Sequence, residues 1–274
     1  MNPLTQYFRH PELHLQLPSQ GRFWPKDSIY MPPNNEIGVA SMTGADDLTL
    51  RNADGLMNGD ATVKVIQSCC SNIKNAWDMP IIDSDALLIA IRIASYGHQM
   101  DMTTKCSKCG HEIDYAVDLR YVLGNIKYAN YDDPVVVNDL TVFIRPASYK
   151  IVNLINQDIY QQQRAILALK DERLTQDQKN TIVREAFARL SEITVSRMHE
   201  YIEKIVLPNG EVVTEPKFIK EFIENANRQT FDIINQAIKS KNEEYKLPKV
   251  PIKCDNCGHA DERDLQFDPS SFFV

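Results

Sequence analysis

Four cysteines carry the clearest chemical signal in this sequence. Cys106 and Cys109 stand in "TTKCSKCGHEIDYAVDL", Cys254 and Cys257 in "PIKCDNCGHADERDLQF". Both stretches run Lys-Cys-x-x-Cys-Gly-His and then alternate in polarity. C-x-x-C-G folds into a tight knuckle that aims two thiolates at one point, and the glycine relieves the backbone just after the second. One knuckle is half of a tetrahedral site. Two knuckles, each leading into a strand, make a four-cysteine site of the zinc-ribbon kind. The stoichiometry points to one structural zinc per chain, held by Cys106, Cys109, Cys254 and Cys257.

Other chemistries ask for more than these stretches offer. A thiol–disulfide site wants C-x-x-C at a strand-to-helix junction, whereas both pairs here lead into alternating runs. Two separate ions would need ligands beyond His111 and His259, which are placed to hydrogen-bond around their knuckles. Catalytic zinc keeps a coordination position open for water, which four thiolates do not. The 144 residues between Cys109 and Cys254 are no obstacle. Closing that span instead of ~15 residues costs only about 2 kcal/mol more in chain entropy, against about 10–16 kcal/mol from a structural zinc in small peptides.

The elements that must position these cysteines follow from the rest of the chain, and the expectation is an α+β protein with a mainly helical body and short β hairpins. Its 274 residues, 43% hydrophobic, suffice for one large core or two modest ones. Residues 1–42 carry Pro3, Pro11, Pro18, Pro25, Pro32 and Pro33, which forbid long helices, so this stretch reads as an extended arm. Within it, Leu13, Leu15 and Leu17 alternate with polar residues as in a half-buried strand. Residues 43–100 read as a helical core. There "GDATVKVIQSCCSNIKNA" forms one helix, and Asp83 or Ser84 caps "DALLIAIRIASY", which is apolar on nearly every side and stops at Gly97. Arg92 in its midst needs a carboxylate, a carbonyl or the surface.

Residues 101–145 hold the first knuckle and two strand-like runs, "HEIDYAVDL" and "PVVVNDLTVFIRP". Residues 146–245 form a helical insertion. Ile151, Leu154, Ile155, Ile159, Ile166 and Leu169 recur near a 3.6 period, Thr175 and Gln178 form a capping box, and Asn209-Gly210 centres a hairpin within about 204–214. Residues 246–274 hold the second knuckle and a tail ending "DPSSFFV".

Composition narrows the function classes. A formal charge of −7 argues against a general nucleic-acid or anionic-membrane binder. Around the second knuckle Asp255, Asp261, Glu262, Asp264 and Asp268 face only Lys253 and Arg263, where phosphate binding wants clustered cations. No apolar run approaches the ~20 residues of a membrane span, and no secretory pattern opens the chain, so reduced cysteines of a cytoplasmic protein are expected. No Walker loop, G-x-S-x-G or G-x-G-x-x-G is present, so neither an enzyme nor a small-molecule substrate is expected. Cys69-Cys70 reads as small apolar filler of a helix. Tyr7, Phe8, Phe23, Trp24, Phe272 and Phe273 suit burial against partner proteins, and equally a fold back onto the chain's own core.

Three stretches together, "LQLPSQGRFWPKDSI", "VASMTGADDLTLRNADGLMNGDATVKVIQSCC" and "DALLIAIRIASYG" ahead of "CSKCG", resemble the baseplate hub proteins of T-even-like contractile-tailed bacteriophages, over residues 13–120. The resemblance implies a non-enzymatic structural part of a phage tail, made in the host cytoplasm and built into the virion, which works through contacts with other baseplate and tail proteins. Two alternatives stand beside it: a transient tail-assembly chaperone, and a zinc-ribbon regulator that binds nucleic acid.

Overall fold

A computed structural model of the chain describes residues 2–167, 175–265 and 272–273. Leu169, Asp268 and Val274 lie outside them. The chain forms two compact units, Met1–Ala129 with Tyr245–Val274, and Asn130–Glu244. Both mix helices with short antiparallel sheets, as the α+β expectation requires.

In the first unit, β1 (Pro11–Gln16) pairs antiparallel with β2 (Glu36–Ala40). Period-2 alternation turns Leu15, Leu17, Ile37 and Val39 inward, all buried. The stretch read as an arm thus contributes to the core, and residues 2–8 form a continuously exposed run near its start. Arg9 marks the transition. Its Nη1 donates to Asp46 Oδ2 (3.0 Å), the Ser41 carbonyl and Cys69 Sγ (3.7 Å), and its Nη2 to the Ser68 carbonyl and Oγ (both 2.7 Å).

Three helices follow, α1 (Gly44–Leu50), α2 (Ala53–Met57) and α3 (Asp60–Cys69). Thr43 and Asp46 close a capping box at α1. The helix expected to continue past Cys70 stops at Cys69, because Ile73 leaves it to bridge Ile29. α4 (Ile81–Tyr96) buries Ala86, Leu87, Ile89, Ala90 and Ile91 and packs against β1, β2 and α3. Each such Leu or Ile contributes about 1.5–3 kcal/mol, which makes α4 the centre of this core. Arg92 stays buried with its guanidinium 4.7 Å over the Tyr96 ring; Nε and Nη1 have no hydrogen-bond partner among the described residues.

The start of α4 corrects the expected cap. Pro80 occupies that position and no side chain caps the helix. Asp83 is instead fully buried within the first turn, where it accepts from the Ser19 amide (2.8 Å), Ser19 Oγ and Trp24 Nε1 (2.8 Å). Burial pushes its carboxyl up to about 6, against the lowering pull of those three donors. The unit continues with β3 (Gln99–Lys105), β4 (Glu112–Asp118) and the short α5 (Leu119–Gly124).

The second unit is a four-stranded antiparallel sheet, β5 (Val135–Val137), β6 (Leu140–Ile144), β7 (Ile202–Val206) and β8 (Val212–Val213), in that spatial order. The β5–β6 hairpin, grouped by sequence with the first knuckle, lies here because β6 pairs with β7. Between these strands run α6 (Tyr149–Leu167) and α7 (Gln176–Arg197), the latter opened by the Thr175–Gln178 capping box. Gly210, at φ +84°, turns β7 into β8. Helices α8 (Pro216–Asn225) and α9 (Arg228–Glu244) pack on β7 and β5 respectively and bury Ile219, Ile223, Ile234 and Ile238. The chain then returns to the first unit as β9 (Val250–Lys253) and β10 (Ala260–Arg263).

Candidate metal centre

Both cysteine pairs sit in the turn of a two-stranded antiparallel hairpin, β3–β4 and β9–β10. The two turns are built alike. In the first, the Cys106 amide donates to the His111 carbonyl (2.8 Å) and the Gly110 amide to the Cys106 carbonyl (3.0 Å); in the second, Cys254 and His259, then Gly258 and Cys254, repeat the pattern at 2.8 Å each. Gly110 and Gly258 adopt φ +71° and +68° with open space where a Cβ would sit, so their handedness, not crowding, selects glycine. The histidines thus close the knuckles through their carbonyls. The His111 ring reaches across, its Nε2 3.5 Å from Asp255 Oδ1.

The fold brings the two knuckles face to face. All four sulfurs lie within 4.8 Å of one another, with Cys106 to Cys257 and Cys109 to Cys254 at 3.7 Å. A disulfide would need ~2.05 Å. Four sulfurs each ~2.3 Å from one ion stand about 3.8 Å apart, so the spacing fits a tetrahedral thiophilic ion. Each knuckle contributes one inner and one outer cysteine: Cys106 and Cys254 are buried, Cys109 and Cys257 exposed. The inner pair packs with Ile113, Ile252 and Tyr115 into a small core of its own. Ser107 Oγ donates to Asp261 Oδ2 (2.9 Å) and Arg263 Nη2 to the Lys105 carbonyl (3.1 Å), so each hairpin grips the other.

Electrostatics favour a cation at the centre. The His111 amide draws the Cys109 thiol down to about 6, and the amides of Cys109 and Lys108 lower Cys106. At Cys257 the His259 amide favours the thiolate too, but burial and the neighbouring Cys109, Cys254 and Cys106 sulfurs outweigh it and push the thiol up to about 12. Four thiolates this close repel one another, and a divalent ion among them removes the conflict. With four thiolates around it such an ion has no place left for a substrate, so the arrangement suits stapling the chain.

The remaining predicted residues do not converge on this centre. Tyr7 and Phe8 are exposed, at 77% and 56%. Phe23 and Trp24 are half-buried, the latter tied to Asp83. Phe272 and Phe273 are buried within the chain itself, their rings edge to face at 4.9 Å. Cys69 and Cys70 are buried, and burial pushes the Cys69 thiol up to about 11 and Cys70 higher still, away from the thiolate form. The Asp83 cluster was missed by sequence reading, and only the placement of an acid in the first turn of an apolar helix hinted at it.

No helix of the described residues is long and apolar enough to cross a membrane. No curated protein and no solved structure matches the chain. One family model does, from β1 through both knuckles over residues 11–274, and by that match the chain belongs to the family of T4 bacteriophage base plate proteins.

Proposed function

We propose that the protein is a non-enzymatic building block of the baseplate, at or next to its hub, that a single zinc held by Cys106, Cys109, Cys254 and Cys257 braces. Family membership over nearly the whole chain is the observation that carries this reading. The hub position is supported by the resemblance of residues 13–120, and zinc by the 3.7 Å sulfur spacing and the all-thiolate donor set. Its contacts are with other baseplate and tail proteins, for which the exposed Tyr7 and Phe8 offer one handle. Asp255 and Asp261 of the second knuckle engage His111 and Ser107 of the first, and Asp261 also pairs with Arg263, which leaves no cationic face for phosphate among these residues.

Mass spectrometry of purified virions, with zinc measured on the isolated protein, tests this. Presence in tails at a fixed copy number with about one zinc per chain is expected. Absence from virions, with presence in assembling intermediates, would replace the building block by a transient assembly factor. Tight, salt-sensitive binding to DNA would replace it by the nucleic-acid reading.

A further inference from the structure

In the second unit, α6, α7 and α9 leave an open groove of about 240 Å³ between them. Its floor is apolar. Ile155, Ile159, Leu190 and Ile193 are only half-buried there, beside the buried Met198 and Ile238. Among the described residues α7 buries Ala186 alone, so most of its apolar side chains remain partly open. Arg197 and Lys239 also line the groove, and among the described residues no acidic side chain does. Neither cation is ion-paired among the described residues; Lys204 and Lys217 of the same unit share that state, but they do not line the groove.

We propose that this groove docks a short segment of another baseplate protein that presents one or two bulky apolar side chains beside a carboxylate. The volume falls below the ~300–1,000 Å³ of a drug-sized ligand pocket, so it has room for side chains rather than a whole cofactor. The floor supplies the anchor site, where buried contact stabilises most. The two cations supply the selection. A basic or uncharged segment would cover Arg197 and Lys239 with nothing to offset their lost hydration, and a carboxylate offsets it. Family membership supplies the source of the partner, and nothing in the inference depends on the metal.

Panning the full-length protein against a display library of random dodecapeptides tests it, with the Arg197→Glu/Lys239→Glu double variant as counter-screen. Enriched peptides should combine Leu, Ile, Phe or Met with Asp or Glu. Their affinity should fall roughly tenfold or more in the double variant and return when the peptide acid becomes Lys. Circular dichroism checks that the variant is folded; should it not be, Lys239→Glu alone, at an exposed position, supplies the comparison. No enrichment, enrichment without acidic residues, or affinity untouched by the charge reversals overturns the proposal. Self-association abolished by the same reversals would give the groove to a second copy and overturn it equally.

Discussion

The two cysteine hairpins have strands of seven and of four residues, and two-stranded ribbons of that size hardly persist in water by themselves. The α6–α7 pair is the reverse case, with 19 and 22 residues of local hydrogen bonding, a capping box on α7 and little complete burial. The ribbons draw their order from atoms brought together across the whole second unit. The helices draw theirs from neighbours three and four residues away. It follows that damage to a ribbon should spread across sequence, and damage to a helix should stay where it is made.

The largest effect expected is that of Cys106→Ser or Cys254→Ser. Either should lower bound zinc from about one per chain to near none and expose β3–β4 and β9–β10 to hydrogen exchange together, while α7 keeps its protection. Full metal content in either variant would break the shared centre.

Next comes Asp83→Ala, which strands the Ser19 amide and Trp24 Nε1 and should cost about 3 kcal/mol in denaturant unfolding. Its titration has a definite sign. With a folded pKa of about 6 against roughly 4 unfolded, the folded state binds this proton more tightly. Stability therefore rises as pH falls from 7 toward 5, by on the order of 1 kcal/mol, and Asp83→Asn should lose that slope relative to the parent protein at each pH.

Gly110→Ala and Gly258→Ala force a side chain into the left-handed region and should each cost about 1–2 kcal/mol, with a matching loss of zinc affinity. Unequal costs would show that the knuckles are less alike than their backbones. Smallest and most local is Thr175→Ala. It removes the α7 cap for about 1 kcal/mol, frays the start of that helix, and should leave metal content unchanged.

What could be read from sequence divides along the same line. The knuckles were legible because Cys-x-x-Cys-Gly is a local pattern, and their meeting followed from ligand number rather than from distance along the chain. α4 was legible from its all-round apolar character, but its start was not. Asp83 looks like a cap in sequence, and the three donors that claim it come from a loop some sixty positions away. β2 went unrecognised because Gly38 interrupts it and Pro32, Pro33, Asn34 and Asn35 precede it, while its warrant is pairing with β1. The open floor of the groove has no sequence signature at all, since Ile155 and Leu190 look the same whether a neighbour covers them or not.

Arg9 is the last point at which the exposed opening segment is tied to the body. Five bonds from one guanidinium fan out to the chain after β2, the first turn of α1 and the end of α3. Tension applied through Tyr7 or Phe8 would meet this knot before it reached the β1–β2 ladder, and three separate segments would share the load. A subunit gripped by its opening residues would thus be tugged as a whole rather than unzipped strand by strand.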